Sequence, residues 1–176
     1  NFTSATDSNN TAVGYNAGSL ITTGTNNTVV GTDALDANTT GQQNTGMGSN
    51  ALGANTTASF NTGIGYGALA ANTTADLNTA VGRTALTTNS TGASNTALGS
   101  QALQANTTAS NNTAVGASSL VNNTTGTLNA AVGSAAMTAN ITGSQNIAMG
   151  YEALKANTTA DGNVALGTRT LQANTT

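Results

Sequence analysis

Aliphatic residues return along this chain at fixed intervals, set in a background of Asn, Thr, Ala and Gly. Residues 95–111, NTALGSQALQANTTASN, show the rule, and Asn112 opens the next copy seventeen residues on. Copies begin at Asn10, Asn27, Asn44, Asn61, Asn78, Asn95, Asn112, Asn129, Asn146 and Asn163, with no insertion or deletion between starts. That makes ten copies, the tenth cut short at Thr176. A strict period of this length predicts a solenoid, in which each repeat is one turn and buries its apolar side by stacking on its neighbours.

Positions are numbered below within the repeat, from its first Asn. Position 1 is Asn and position 5 is Gly in every copy. Position 4 is aliphatic or Met throughout, and position 9 is Leu or Met after Gly18 in the first copy. Position 12 is Asn in nine copies, and position 14 is Thr in all ten. Two short strands per turn, near positions 2–5 and 8–11, would send the position-4 and position-9 side chains into a thin interior. The predicted core is therefore Val30, Leu35, Leu52, Ile64, Leu69, Val81, Leu86, Leu98, Leu103, Val115, Leu120, Val132, Leu154, Leu166 and Leu171. A helix fits poorly, because the apolar spacings are 5 and then 12 and Gly, Asn and Thr are weak helix formers.

Strand alternation puts positions 2 and 4 on one face and positions 3 and 5 on the other. Position 3 is Ala or Gly except at Val29, so the second face is almost bare. That face is predicted to pack against other chains, with Ala97 and Ala114 in the contact. The Gly column predicts a positive-φ corner or the close approach of another backbone. Asn at positions 1 and 12 suits turns, and in register it forms amide ladders between coils. The first copy departs from the rule, with Gly18 in the Leu column and Leu20 and Ile21 displaced.

Residues 1–9 read as the end of a preceding repeat and residues 10–176 as one array, an excerpt from a longer protein. Rich Asn, Thr, Gly and Ser would suggest disorder, but a disordered linker has no reason to keep its aliphatic residues in register. Charged residues make up 5% of the chain, against about 25% in ordinary domains. Asp33, Asp36, Asp76, Arg83, Glu152, Lys155, Asp161 and Arg169 all fall in variable columns, predicted to face solvent. With no Cys and no His, disulfides, soft-metal sites and His-dependent catalytic sets are excluded. The six acidic residues lack calcium-loop spacing. Three Lys and Arg in total cannot neutralise a nucleic-acid backbone. No apolar run is long enough to span a membrane. The chain is expected to have no catalytic, cofactor-binding or metal-ligating residues.

Asn-x-Thr/Ser, the N-glycosylation acceptor, occurs at position 12 in Asn38, Asn55, Asn72, Asn89, Asn106, Asn123, Asn140, Asn157 and Asn174. The preferred reading is that these Asn, with the Thr of position 14, are simply turn and ladder residues. The Thr columns also invite ice binding, but positions 13 and 14 are adjacent and in a strand would point opposite ways.

The unit NTAVGxxALxANTTGxx resembles the head repeats of YadA-like trimeric autotransporter adhesins. It is similar also to the NTAIG…AL…NTTG repeats of long bacterial surface and phage tail-fibre-like proteins. The resemblance covers residues 10–176. It implies a left-handed parallel β-roll, three chains side by side as a homotrimer, and a rigid extracellular stalk or adhesive head on a cell surface or virion. Partners would be further copies of the chain and a host or environmental glycan or surface. The expected fold is all-β, a parallel β-solenoid of about ten coils, non-enzymatic and without cofactor. The alternative is a monomeric ice-binding or carbohydrate-binding solenoid.

Overall fold

The structure, a computed structural model, describes residues 9–175. Of the predicted partial repeat at residues 1–9, all but Asn9 lies outside the described residues. The strands are β1 (Thr11–Val13), β2 (Thr28–Val30), β3 (Thr45–Met47), β4 (Thr62–Ile64), β5 (Thr79–Val81), β6 (Thr96–Leu98), β7 (Thr113–Val115), β8 (Ala130–Val132), β9 (Ile147–Met149) and β10 (Val164–Leu166). They form one parallel sheet in sequence order. Each residue pairs with its counterpart one repeat on, as in Thr96 with Thr113, Ala97 with Ala114 and Leu98 with Val115. The chain is thus the expected β-solenoid, one coil per repeat.

Each coil holds only one strand, three residues long. The second strand expected near positions 8–11 does not form. Positions 7 and 9 adopt positive φ, as at Gln101 (62°) and Leu103 (50°), which breaks the pleat and turns the chain. The turns are nevertheless bonded coil to coil. The Leu103 N–H donates to Ser119 O (3.0 Å), Ala105 N–H to Val121 O (2.9 Å), and Gln101 N–H back to Arg83 O (3.0 Å). A bulky Leu at positive φ is strained by about 1–3 kcal/mol and persists only where its surroundings over-determine it. Here those surroundings are a neighbouring coil's backbone and full burial of the side chain.

The interior is built from five columns. Leu35 to Leu154 stack at position 9, fully buried. Ala or Gly of the strand centre and Ala of position 8 fill in around them, as Ala97 and Ala102 do. Asn at positions 1 and 12 completes the section, buried from Asn27 to Asn146 and from Asn38 to Asn157. Both columns are ladders, as expected. The Asn95 Oδ1 accepts the Asn112 N–H (3.0 Å), and the Asn106 Nδ2 donates to Asn89 Oδ1 (2.8 Å). Both amides also donate to one carbonyl of their own coil, Ala109 O, at 2.9 and 3.0 Å. This carbonyl would otherwise be a buried orphan.

The two strand faces are therefore inverted relative to expectation. The bare face points into the chain's own interior, and position 4 points out. Val30, Val81 and Val115 are half-buried, and Ile64, Leu98, Val132 and Leu166 are exposed. Leu171, in the last of the described coils, is exposed too. Room decides the direction. A Cβ built on Gly63 would lie 3.2 Å from Leu52 Cγ of the preceding coil, so the Leu column leaves space only for Ala or Gly at the strand centre. The exception obeys the same rule: by this register Val29 faces the preceding coil's Gly18, where the Leu is missing. Ile21 occupies the Asn column of that first coil and is buried. Gly99 is needed at its corner: φ is 138°, and an added Cβ would lie 2.6 Å from the carbonyl carbon of Gly116.

Candidate functional site

The outward side of the sheet is an extended surface on which two columns of the repeat stand side by side. Position 2 supplies Thr11, Thr28, Thr45, Thr62, Thr79, Thr96 and Thr113, then Ala130, Ile147 and Val164. Position 4 supplies a continuous aliphatic column beside it, from Val13 to Leu166. Every residue of both columns is exposed or half-buried. Neither column holds a charge in any coil. Exposed aromatic and aliphatic residues border them: Tyr15, Tyr66 and Tyr151 at position 6, and Phe60, Leu77 and Leu128 at position 17.

Two columns of hydroxyls behave differently. At position 13 the side chains of Thr22, Thr39, Thr56, Thr73, Ser90, Thr107 and Thr124 each donate to the next coil's carbonyl, as Thr124 Oγ1 does to Ile141 O at 3.2 Å. Those hydroxyls are consumed by the fold. At position 2 none of the seven Thr hydroxyls bonds to a described residue, since their strand backbone groups are already paired in the ladder. They stand free on the surface. The missed signal was in the sequence: Thr holds position 2 in the first seven copies, and it alternates with position 4.

The glycosylation candidates do not reach this surface. Asn38, Asn55, Asn72, Asn89, Asn106, Asn123, Asn140 and Asn157 are fully buried, and each amide nitrogen donates inside the coil. Asn174, in the last coil, is half-buried. The eight from Asn38 to Asn157 are corrected to ladder residues, because their side chains point inward where no glycan fits. Asn157 Oδ1 and Asn174 Nδ2 are left without a partner, the one rung of this ladder not made.

The charged columns face solvent, with one exception. Glu152 is 8% exposed. Its carboxylate accepts from Lys155 Nζ (2.6 Å), Arg169 Nε (3.1 Å) and Gln172 Nε2 (2.9 Å). The Arg169 guanidinium also sits 5.6 Å from the Tyr151 ring centroid. The Lys155 hydrogen bond, helped by Arg169, holds the Glu152 carboxyl below its usual range although burial pulls the other way. This cluster stitches the ninth coil to the tenth. Among the described residues no group of three or more acidic, His or Cys side chains gathers as a metal site. Nor do the described residues contain a helix long and apolar enough to cross a membrane. In comparisons with protein-family models, curated proteins and solved structures, nothing matches this chain.

Proposed function

We propose that this chain is a structural segment of an extracellular fibre, a rigid rod whose copies lie side by side through their outward sheet faces. The resemblance to trimeric adhesin heads suggests three copies, in a stalk or adhesive head on a bacterial surface or a virion tail fibre. The observation that carries the reading is the exposed, charge-free aliphatic column running the length of the sheet. Exposed contiguous apolar surface of this kind marks an interaction site. Ten strands, with nine steps of about 4.8 Å between them, make a face about 43 Å long. Counted out to the flanking Tyr and Phe columns, it offers on the order of 900 Å² per copy, within the range of stable interfaces. Absence of charge, together with Met and aromatic residues, is also what the centre of such an interface contains.

Stiffness comes from the interior. The position-1 Asn ladder and the backbone bonds of sheet and turns tie every coil to the next, and the position-12 ladder adds a rung between coils from Asn38 to Asn157, so bending the rod means breaking several bonds at once. The reading assigns the chain no catalysis. Light-scattering mass tests it. The purified chain should be an oligomer, and Leu98→Asp with Val115→Asp should give folded monomers. A wild-type chain that stays monomeric at micromolar concentration defeats the proposal.

A second reading is supported by the seven free hydroxyls of position 2. They stand in register beside the aliphatic column, a two-dimensional array suited to ordering water on a growing ice surface. The carbonyl-bound hydroxyls of position 13 are not available for this. A monomer that shows thermal hysteresis, lost in Thr62→Tyr and Thr79→Tyr, would favour it.

A further inference from the structure

The outward face is not uniform, and the break in it has a direction. In the first seven coils each rank pairs a free Thr hydroxyl with an aliphatic side chain, from Thr11 and Val13 to Thr113 and Val115. In the last three the ranks are wholly apolar: Ala130 with Val132, Ile147 with Met149, Val164 with Leu166. We infer that this switch fixes how copies meet, parallel and without axial shift, so that each rank faces the same rank of its neighbour. The inference rests on the side-by-side reading above.

A perfectly repeating face cannot specify its own alignment. Sliding one copy by a coil, about 4.8 Å, restores every contact except one rank at the end. Turning it end for end costs equally little. A few polar residues at an apolar interface remove that degeneracy, because a hydroxyl buried without a partner loses its bond to water. In the antiparallel arrangement Thr11 would meet the rank of Val164, Thr28 that of Ile147 and Thr45 that of Ala130. A shift of one coil sets Thr113 at the level of Ala130 and uncovers an apolar rank at the end. Only the parallel, unshifted arrangement puts free hydroxyls level with free hydroxyls and dry ranks level with dry ranks. That arrangement also closes under rotation about the fibre axis, whereas a shifted one adds a translation along the axis at each step and stays open. Charge does not compete with this, since neither column carries any.

The chain has no Cys, so single labels are easily placed. Thr40 and Thr159 are exposed and lie outside the outward columns, seven coils apart. Thr40→Cys and Thr159→Cys carrying nitroxides, read by pulsed electron paramagnetic resonance, should give the same short distance in each single-variant assembly. Assemblies mixed from the two should add a longer one, offset by about 34 Å along the axis. A short distance only in the mixed sample means antiparallel packing and overturns the inference. So does a spread of distances in coil-sized steps. No dipolar signal together with a monomer mass overturns the side-by-side reading itself. The triple variant Ala130→Thr, Ile147→Thr and Val164→Thr makes the column uniform on exposed or half-buried positions. It should still associate, now with a broadened distance distribution. A single sharp distance retained in that variant shows that the switch does not set the alignment.

Discussion

The inner Leu column and the outer aliphatic column run through the same coils and end in opposite surroundings. Leu103 is fully buried, while Leu98, five residues earlier, is 37% exposed. The inner side chain is held by its own chain, on a strained backbone that the next coil clamps. The outer one touches its own chain only along the sheet surface. A fold needs the first column. It has no internal use for the second, and that exposed apolar column, kept in every coil, is what the side-by-side proposal rests on. Regularity in a repeat therefore reports that a column is constrained, and burial separates the columns the fold uses inside from those it leaves on the surface.

The largest effect should come from exchanging charge between the two columns. Leu103→Asp places an unpaired carboxylate among Leu86, Leu120 and the Ala columns, at a cost of several kcal/mol. Leu98→Asp meets water instead and should cost the isolated fold less than about 1 kcal/mol, while abolishing association. Circular-dichroism melts of diluted protein, read beside light-scattering mass, check both. Equal melting points would erase the distinction between the columns.

The first coil sharpens it. Gly18 lacks the inner Leu, and Val29 supplies the bulk from the opposite side. Gly18→Leu should overpack against Val29 and lose about 1–3 kcal/mol. Val29→Ala should leave a void and cost about 0.5–3 kcal/mol. The double variant restores the pair found in other coils, so its loss should be smaller than that of Gly18→Leu alone. A double-mutant cycle with no coupling would show that the two sites do not share one volume.

The seventeen-residue step, the parallel stacking, the Leu column, the Gly corner and the Asn ladders were legible in the sequence. Each follows from period and residue type, without knowing which way the coil faces. The direction of the strand was not legible. Alternation ties Thr96 to Leu98 and Ala97 to Gly99, but which pair faces inward depends on how much room Leu103 and its stack leave, a tertiary quantity. Size was a misleading guide: Leu98 looks like core beside Ala97, yet only Ala fits between strand and Leu column. The second strand failed for a related reason. Residues such as Gln101 and Leu103 carry no turn signature, and their positive φ is imposed by packing. The hydroxyls of Thr96 and Thr107 look alike in sequence, and only the neighbouring carbonyl of Thr124 tells them apart.

A moderate effect is expected at the ladders. Asn95→Ala removes the oxygen that accepts the Asn112 N–H and one of two donors to Ala109 O. Asn106 Nδ2 still serves Ala109 O, so the loss centres on one buried N–H and should be about 1–3 kcal/mol. Hydrogen exchange should localise the damage at the Asn112 amide. Unchanged protection there would mean that the ladder is a bystander.

The smallest effect separates stability from association by pH. Burial, with the like charge of Asp33 adding to it, raises the Asp36 carboxyl above its ordinary value of 3.8, against the backbone hydrogen bonds that lower it. The folded state therefore favours the protonated acid. Its contribution is fully present below the unfolded pKa and is lost as pH rises through the higher folded value. Glu152 has the opposite sign: its contribution is present above the unfolded pKa and is lost as pH falls through the lower folded value. Asp36→Asn should accordingly melt higher than wild type at pH 7, with the gap closing below the ordinary carboxylate range. Glu152→Gln should melt lower at pH 7, with its gap also closing in acid, more weakly at high salt because its partners are half exposed. Neither residue belongs to the outward columns, so neither variant should change the light-scattering mass at any pH where the chain is folded. A mass that follows these titrations would move the association surface away from the sheet face and onto the turns.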